Sequence, residues 1–229
     1  MTTPSRIWVT RTLPQAEAAA ARLRALGLIP VVAPVIEARA LADARLDLAG
    51  VEALAFTSGA GLAAFTALSP RRDLPAFVVG EATAARARAA GFADVRSAGG
   101  DVNALARLIA SARPRPALVL NPTAREPAAD LAALLASQGV AARAACVYET
   151  VAAELAAAPP GLDAVLIHSA KAARRVVELV DDGLARRLEV FAISPAAAEP
   201  LAKRSFRRVV IAAAPNEAAL LALLGPARP

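Results

Sequence analysis

The chain has a single cysteine, Cys146, and a single histidine, His168, among its 229 residues. One cysteine excludes a disulfide framework within the chain, and the two residues together are too few for a Cys/His metal cluster. Carboxylates could still bind Mg²⁺, but no acidic cluster indicates such a site. We therefore expect a protein that works without a metal, with Cys146 packed as a small buried hydrophobe.

Long apolar runs and aromatic residues are also scarce. Although 57% of the residues are hydrophobic, no run approaches 18 apolar residues without a charge or a proline, so no membrane span is expected. The first residues, MTTPSRIWVTR, lack the apolar core of a signal peptide, and the expected location is the cytoplasm. Aromatic residues make up only 3% of the chain, which leaves few rings for stacking nucleic-acid bases.

Positive charge, in contrast, is abundant. The formal net charge of +6 comes almost entirely from arginine and suits an anionic partner. The arginines are scattered singly along the predicted helices, without the basic run that nucleic-acid binding favours. Two interpretations remain open from composition alone: a solvated arginine-rich surface, or a small polyanion bound in a cleft.

The two halves of the chain repeat one pattern. Each half begins with a strand, a proline-containing turn, an amphipathic helix that ends at a glycine (Gly27 or Gly139), and an apolar strand that ends at an acid (Glu37 or Glu149). Each half continues with further alternating strands and helices. The matching segments are 6–38 with 116–150, 51–68 with 162–179, and 74–110 with 188–224.

Short strands rich in valine, isoleucine, leucine and alanine alternate with helices of about ten to fifteen residues. This alternation predicts an α/β fold with doubly wound parallel sheets covered by helices on both faces. The repeats alone leave open which segments share a sheet. The first segment of a half could pair with the rest of its own half, or with the corresponding part of the other half.

The stretch TSGAGLAAF (57–65) resembles a dinucleotide-binding loop, since Gly59-x-Gly61-x-x-Ala64 follows an apolar strand and Glu81 comes about twenty residues later. The matching stretch of the second half, HSAKAARRV, contains no glycine. The feature that both halves share is a serine, Ser58 or Ser169, which we predict to cap the following helix. NAD binding is therefore not favoured.

Ligands of open α/β sheets bind beyond the carboxyl ends of the strands, where helix N-termini present backbone amides to anions. The predicted strand ends carry hydroxyls and small residues, with no carboxylate pair for acid–base catalysis and no GxSxG nucleophile motif. These residues indicate a site that binds the carboxylates of a ligand rather than one that attacks a substrate with a nucleophile. The strand ends are Thr10-Arg11, Thr57-Ser58-Gly59, Gly80-Glu81-Ala82-Thr83, Gly99-Gly100, Asn121-Pro122-Thr123, His168-Ser169 and Ser194-Pro195.

A series of motifs along nearly the whole chain resembles the uroporphyrinogen-III synthase family: VTR, FTS, VGEATAARARAAGF, GGDVNALA, VYET, AISP and NEAALLALL, in the family's order and spacing. The resemblance implies two similar flavodoxin-like domains. The first comprises 1–36 and 150–229, and the second, inserted domain comprises 38–147. A two-stranded antiparallel linker, at about 33–38 and 145–150, is expected to join them.

The resemblance also implies an activity. Enzymes of this family convert linear hydroxymethylbilane into a ring with inversion of the terminal pyrrole and loss of water, and they need no cofactor or metal. Their substrate carries many carboxylates and binds between the domains, which agrees with a basic chain. The resemblance further implies a monomer that binds neither nucleic acid nor membrane and receives its substrate from hydroxymethylbilane synthase. The alternative is a non-catalytic two-domain protein that binds a small polyanion.

Carried over to this sequence, the family pattern identifies Tyr148 as the group that assists the leaving hydroxyl. Arg11 is a candidate carboxylate partner from its place at a strand end, whereas His168 is interpreted as a local substitution. The sequence departs from the family pattern at Thr12, Ala60 and Ala197. The candidate substrate-binding residues are Arg11, Thr57, Ser58, Gly80, Thr83, Ser169 and Ser194.

Overall fold

A computed structural model describes residues 6–13 and 15–225, and it divides the chain into two compact units. Unit 1 comprises the residues up to Glu37 and from Val151 onwards, and unit 2 comprises 38–150. The chain leaves unit 1 within strand β3 (Ile36–Ala40) and returns to it within strand β8 (Ala141–Ala152). The predicted antiparallel linker at these two segments stays a prediction.

Strands and helices alternate along the chain as follows. The elements are β1 (Arg6–Val9), α1 (Gln15–Ala25), β2 (Ile29–Val32), β3, β4 (Ala53–Phe56), α2 (Gly59–Leu68), β5 (Ala76–Val78), α3 (Glu81–Ala89), β6 (Val95–Ser97), α4 (Val102–Ala110), β7 (Leu118–Ala124), α5 (Leu131–Ala136), β8, β9 (Ala164–Ile167), α6 (Ala170–Leu179), α7 (Asp182–Ala185), β10 (Glu189–Ala192), α8 (Pro195–Ala198), a 3₁₀ helix (Glu199–Lys203), β11 (Arg208–Ile211) and α9 (Glu217–Ala222).

The described strands of unit 1 form a parallel sheet in the order β11-β10-β9-β1-β2. Counted along the unit, this is the flavodoxin-like order 2-1-3-4-5. Side chains alternate between the two faces of the sheet, so that Trp8 packs against α6 and α8 while Ile7 and Val9 pack against α1 and α9. Both faces are therefore covered, and the predicted doubly wound α/β architecture is confirmed.

Unit 2 has the strand order β3-β8-β7-β4-β5-β6, and its sheet is likewise covered on both faces. Leu54 and Phe56 pack with α2 and α3, whereas Ala53 and Ala55 pack with α4 and α5. Strands β4 to β8 pair in parallel where they are neighbours. The near-continuous apolar sequence of β4 follows from this burial on both faces.

The sheet orders show how the repeats combine. In unit 2, β7 and β8 occupy the places that β1 and β2 occupy in unit 1, and β4 to β6 occupy the places of β9 to β11. The first segment of each half thus shares a sheet with the later strands of the other half. Gly27 and Gly139, the predicted helix ends, have φ values of 74° and 70°, a conformation that glycine adopts without strain.

One expectation about burial is wrong. Cys146 was expected to be a buried hydrophobe, but its side chain is exposed. It lies in β8 between Ala145 and Val147, which are both buried. Because side chains of a strand alternate between faces, the neighbours that point into the core place Cys146 on the outer face. The apolar character of cysteine does not indicate which face of the strand its side chain occupies.

Candidate functional site

The strand order of unit 2 reverses between β4 and β7, and ligands of such sheets bind at this kind of switch point. The backbone ladder between the two strands ends at Leu54 and Leu120. Beyond it, Asn121 Nδ2 donates a hydrogen bond of 2.8 Å to the Ala55 carbonyl oxygen. This buried amide satisfies a backbone acceptor where the strands separate, and so fixes the start of the following turn.

That turn carries Ser58, which makes two hydrogen bonds. Its Oγ accepts the Gly61 N–H at 3.0 Å, which confirms the predicted N-cap of α2. The same Oγ lies 3.0 Å from the hydroxyl oxygen of Tyr148 on β8. Since a serine hydroxyl has one proton and two lone pairs, Ser58 can either donate to Tyr148 or accept from it. The pair can therefore hold a proton at the tyrosine oxygen or relay one to it.

Gly61 is required here by packing. A Cβ atom at this position would lie 2.5 Å from the Pro122 carbonyl oxygen of β7, so α2 approaches the strand more closely than any other residue type allows. At Gly59 the added Cβ would instead meet the guanidinium of Arg86, which is the end of a flexible side chain. This close contact between helix and strand accounts for the loop that resembles a dinucleotide-binding turn.

Three further candidates of unit 2 lie near helix N-termini. Gly80 caps α3 without a side-chain hydrogen bond, and Thr83 lies in the first turn of that helix. Thr57 precedes the Ser58 cap. Within the described part of the chain, the hydroxyls of Thr57 and Thr83 have no hydrogen-bond partner, and both residues are half-buried. Hydroxyls and free amides in this arrangement are suitable donors to carboxylates.

In unit 1, an ion cluster lies at the carboxyl ends of β1 and β9. Arg11 Nη1 lies 2.7 Å from Glu217 Oε2, and His168 Nε2 lies 3.0 Å from the same oxygen. Glu217 is the first residue of α9 and is 15% exposed. Arg11 is a candidate from the sequence, whereas His168 was interpreted there as a local substitution and Glu217 was not singled out. The sequence signal that could have indicated Glu217 is its place at the start of a helix, where a negative charge is favourable.

Burial alone would raise the pKa of Glu217, but the hydrogen bond from His168 and the charges of His168, Arg11 and Arg22 outweigh it. The pKa of Glu217 therefore lies below its usual value of 4.5. At Arg11 burial is the dominant effect, because it lowers the pKa of the guanidinium more than Glu217 raises it. The cluster thus favours an ionised carboxylate at neutral pH.

A pH dependence of stability follows for Glu217. Because its folded pKa is depressed, its contribution is complete above about pH 4.5 and is lost as the pH falls through the folded value. We expect the difference in free energy of unfolding between the unchanged protein and Glu217→Gln to shrink steadily below that pH. Urea unfolding at several pH values measures it. A difference that grows on acidification would contradict the assignment.

Ser169 and Ser194 are the corresponding residues of unit 1. Ser169 Oγ accepts the Ala172 N–H of α6, and Ser194 Oγ accepts the Ala197 N–H of α8, both at 3.2 Å. The predicted cap at Ser169 is confirmed. Each serine still has its hydroxyl proton available for a ligand. The structure therefore brings together Ser58 and Tyr148 in unit 2, and Arg11 and His168 in unit 1.

Among residues 6–13 and 15–225, no group of three or more histidine, cysteine, aspartate or glutamate side chains could hold a metal ion. No helix in the same described ranges is long and apolar enough to cross a bilayer.

Comparison with known proteins identifies the family. The family model for "Uroporphyrinogen-III synthase HemD" matches residues 17–222, which is most of the chain. The chain belongs to the uroporphyrinogen-III synthase family. Members are cyclising lyases of tetrapyrrole biosynthesis, and the functional class that the sequence resemblance implied is thereby confirmed. A small-molecule substrate is consistent with this membership.

Solved structures of uroporphyrinogen-III synthases resemble the chain. The Helicobacter pylori 26695 synthetase is 20% identical with a TM-score of 0.64, covering 97% of this chain and 98% of that one. The wild-type synthase of Thermus thermophilus is 19% identical, covers 97% and 96%, and has a TM-score of 0.45. The first likeness supports the two-domain α/β fold. No curated protein shows a significant match.

Proposed function

We propose that this chain converts hydroxymethylbilane to uroporphyrinogen III in the cytoplasm, without a cofactor, and that the chemistry takes place at Tyr148. The observation that supports this site most directly is the 3.0 Å hydrogen bond between Tyr148 and Ser58. It holds the chain's only tyrosine at the carboxyl end of a parallel sheet, where α/β proteins bind their ligands. Membership of the synthase family supports the reaction itself.

In the proposed mechanism, Tyr148 donates its proton to the hydroxymethyl oxygen of the substrate. The carbon–oxygen bond then breaks, water leaves, and the remaining azafulvene is attacked by the substituted carbon of the terminal pyrrole. In the resulting spiro intermediate, the bond between that substituted carbon and its original bridging carbon breaks. The bridging carbon then bonds to the free α carbon of the same ring, which inverts the ring. Ser58 orients Tyr148, and the proton that the inverted ring loses on closure restores the phenol. The substrate already contains the reactive groups, so the protein mainly fixes its geometry.

We propose that the substrate carboxylates are held by hydroxyls and backbone amides at strand ends. The donors are Thr57, Ser58, the Gly80 cap and Thr83 in unit 2, with Arg11, Ser169 and Ser194 in unit 1. A serine cap uses a lone pair for the helix and keeps its proton for the ligand. Hydrogen bonds to charged groups contribute about 1.5–3 kcal/mol each, so several of them suffice to fold a flexible tetrapyrrole.

A coupled assay tests the proposal. Hydroxymethylbilane is generated in situ by hydroxymethylbilane synthase, the proposed donor of the substrate, and the oxidised porphyrin isomers are separated by chromatography. We expect isomer III. Isomer I alone, formed at the spontaneous rate by a correctly folded sample, would contradict the proposed function. The same samples test the proposed monomeric state by sedimentation.

A further inference from the structure

The ion cluster of unit 1 is organised around one carboxylate oxygen. Glu217 Oε2 lies 2.7 Å from Arg11 Nη1 and 3.0 Å from His168 Nε2. The three residues come from different elements: Arg11 follows β1, His168 follows β9, and Glu217 begins α9. The β1 and β9 ends flank the point where the strand order of this sheet reverses. The cluster therefore lies at the ligand-binding position of an α/β sheet.

The three side chains of the cluster are exposed to solvent to different extents. Arg11 is 29% exposed, Glu217 is 15% exposed and His168 is 8% exposed. The Arg11 side chain is thus the most accessible of the three, and the His168 side chain is the least accessible. Arg11 is therefore the member of the cluster that a ligand can reach most readily.

Arg11 uses only Nη1 in this cluster. Its Nε and Nη2 make no hydrogen bond with any described residue, and neither is a buried atom without a partner, so solvent reaches both. The Nε–Nη2 edge of a guanidinium is one of its two edges that can donate two parallel hydrogen bonds to a carboxylate. A ligand carboxylate could bind this edge without displacing Glu217.

Two buried atoms of the cluster have no partner among residues 6–13 and 15–225: Glu217 Oε1 and His168 Nδ1. Unpaired buried polar atoms cost stability, so the cluster is not arranged for stability alone. Arg22 of α1 adds a further positive charge that acts on both Arg11 and Glu217. The groups that act on Glu217 are therefore Arg11, His168 and Arg22, and the two arginines carry positive charge that favours an anion beside them.

We infer that Glu217 and His168 are positioning residues that hold Arg11 as a two-pronged clamp for one substrate carboxylate. Glu217 fixes Nη1, His168 fixes Glu217, and neither touches the substrate. This inference rests on the proposed function, because it names the residues that set up one of its carboxylate contacts. His168, interpreted from sequence as a local substitution, thereby has a defined part in binding.

A double-mutant cycle separates positioning from structural support. Glu217→Gln keeps the side-chain shape and removes the charge that holds Arg11. We expect it to raise KM for hydroxymethylbilane about five- to tenfold, with kcat within twofold of the unchanged protein. In an Arg11→Gln background, which has no clamp to position, the same Glu217→Gln change should leave KM unaltered. A second cycle uses His168→Asn in place of Glu217→Gln. We again expect a higher KM in the otherwise unchanged protein and no effect on KM in the Arg11→Gln background.

The matched control is Glu189→Gln, which breaks an ion pair of 2.7 Å with Arg208 at the amino ends of β10 and β11. It should leave KM unchanged in both backgrounds. Equal effects of Glu217→Gln with and without Arg11, or an effect on unfolding alone, would overturn the inference. Fluorescence of the buried Trp8 checks that each variant is folded.

The same cycle can be measured as binding of uroporphyrin III, an oxidised tetrapyrrole with the same carboxylates, by fluorescence quenching. This separates the two possible failures. If the protein makes only isomer I, the proposed function fails, while a cycle in uroporphyrin affinity still supports the clamp. If isomer III forms but both cycles are additive, the function stands and the clamp is wrong.

Discussion

Replacing Tyr148 with phenylalanine should lower kcat for uroporphyrinogen III formation about tenfold while leaving KM nearly unchanged. The change removes the hydroxyl that lies 3.0 Å from Ser58, and it keeps the ring that packs against the core of unit 2. A well-placed general acid contributes about 10²–10⁴-fold. We expect the smaller loss because hydroxymethylbilane also cyclises spontaneously. The measurement is initial rate against substrate concentration, with isomer analysis of the product.

Ser58→Ala extends this test, since it removes both the helix cap and the partner of Tyr148. The matched control is Asp101→Ala, which removes the cap of α4 in the same unit. Each loss of a cap should cost about 1 kcal/mol of stability. Only Ser58→Ala should also lower kcat. Unchanged kcat in both Tyr148→Phe and Ser58→Ala would show that this hydrogen bond only supports the packing of β8.

Much of the fold could be predicted because local signals and the global pattern agree. The apolar strands of about four residues, the serine caps and the glycines that end α1 and α5 all indicated alternating strands and helices. Their repetition in both halves strengthened the prediction. The partner of each strand was harder to predict. Residues 7–9 pair with residues 164–166, and nothing within either segment specifies that distant neighbour.

Individual residues of the candidate site could be predicted from the sequence, but the contacts between them could not. The family resemblance pointed to Ser58 and Tyr148 separately, and only the fold brings together two residues that are 90 positions apart. Glu217 was missed because its partner Arg11 is 206 positions away. A single acid at the start of a helix is common, and its binding role depends on which side chains the sheet places beside it.

Replacing Gly61 with alanine should destabilise the protein, although alanine is normally the better helix former. The helix preference alone would stabilise α2 by about 1 kcal/mol. The new Cβ, however, would lie 2.5 Å from the Pro122 carbonyl oxygen, and Pro122 is part of the paired strand β7. Since neither the strand nor the helix can move freely, we expect a net loss of about 1–3 kcal/mol. Urea unfolding measures this loss.

Gly59→Ala is the matched control, because it makes the same change in the same helix. There the new Cβ meets the end of the Arg86 side chain, which can move away at little cost. We expect Gly59→Ala to be neutral or mildly stabilising. Gly61→Ala should also lower activity, because the Gly61 N–H is held by Ser58 Oγ, and a shift of the helix moves Ser58 away from Tyr148. If Gly61→Ala were as stable as Gly59→Ala, the close approach of α2 to β7 would not explain the glycine, and a direct role of this turn in ligand binding would become the better interpretation.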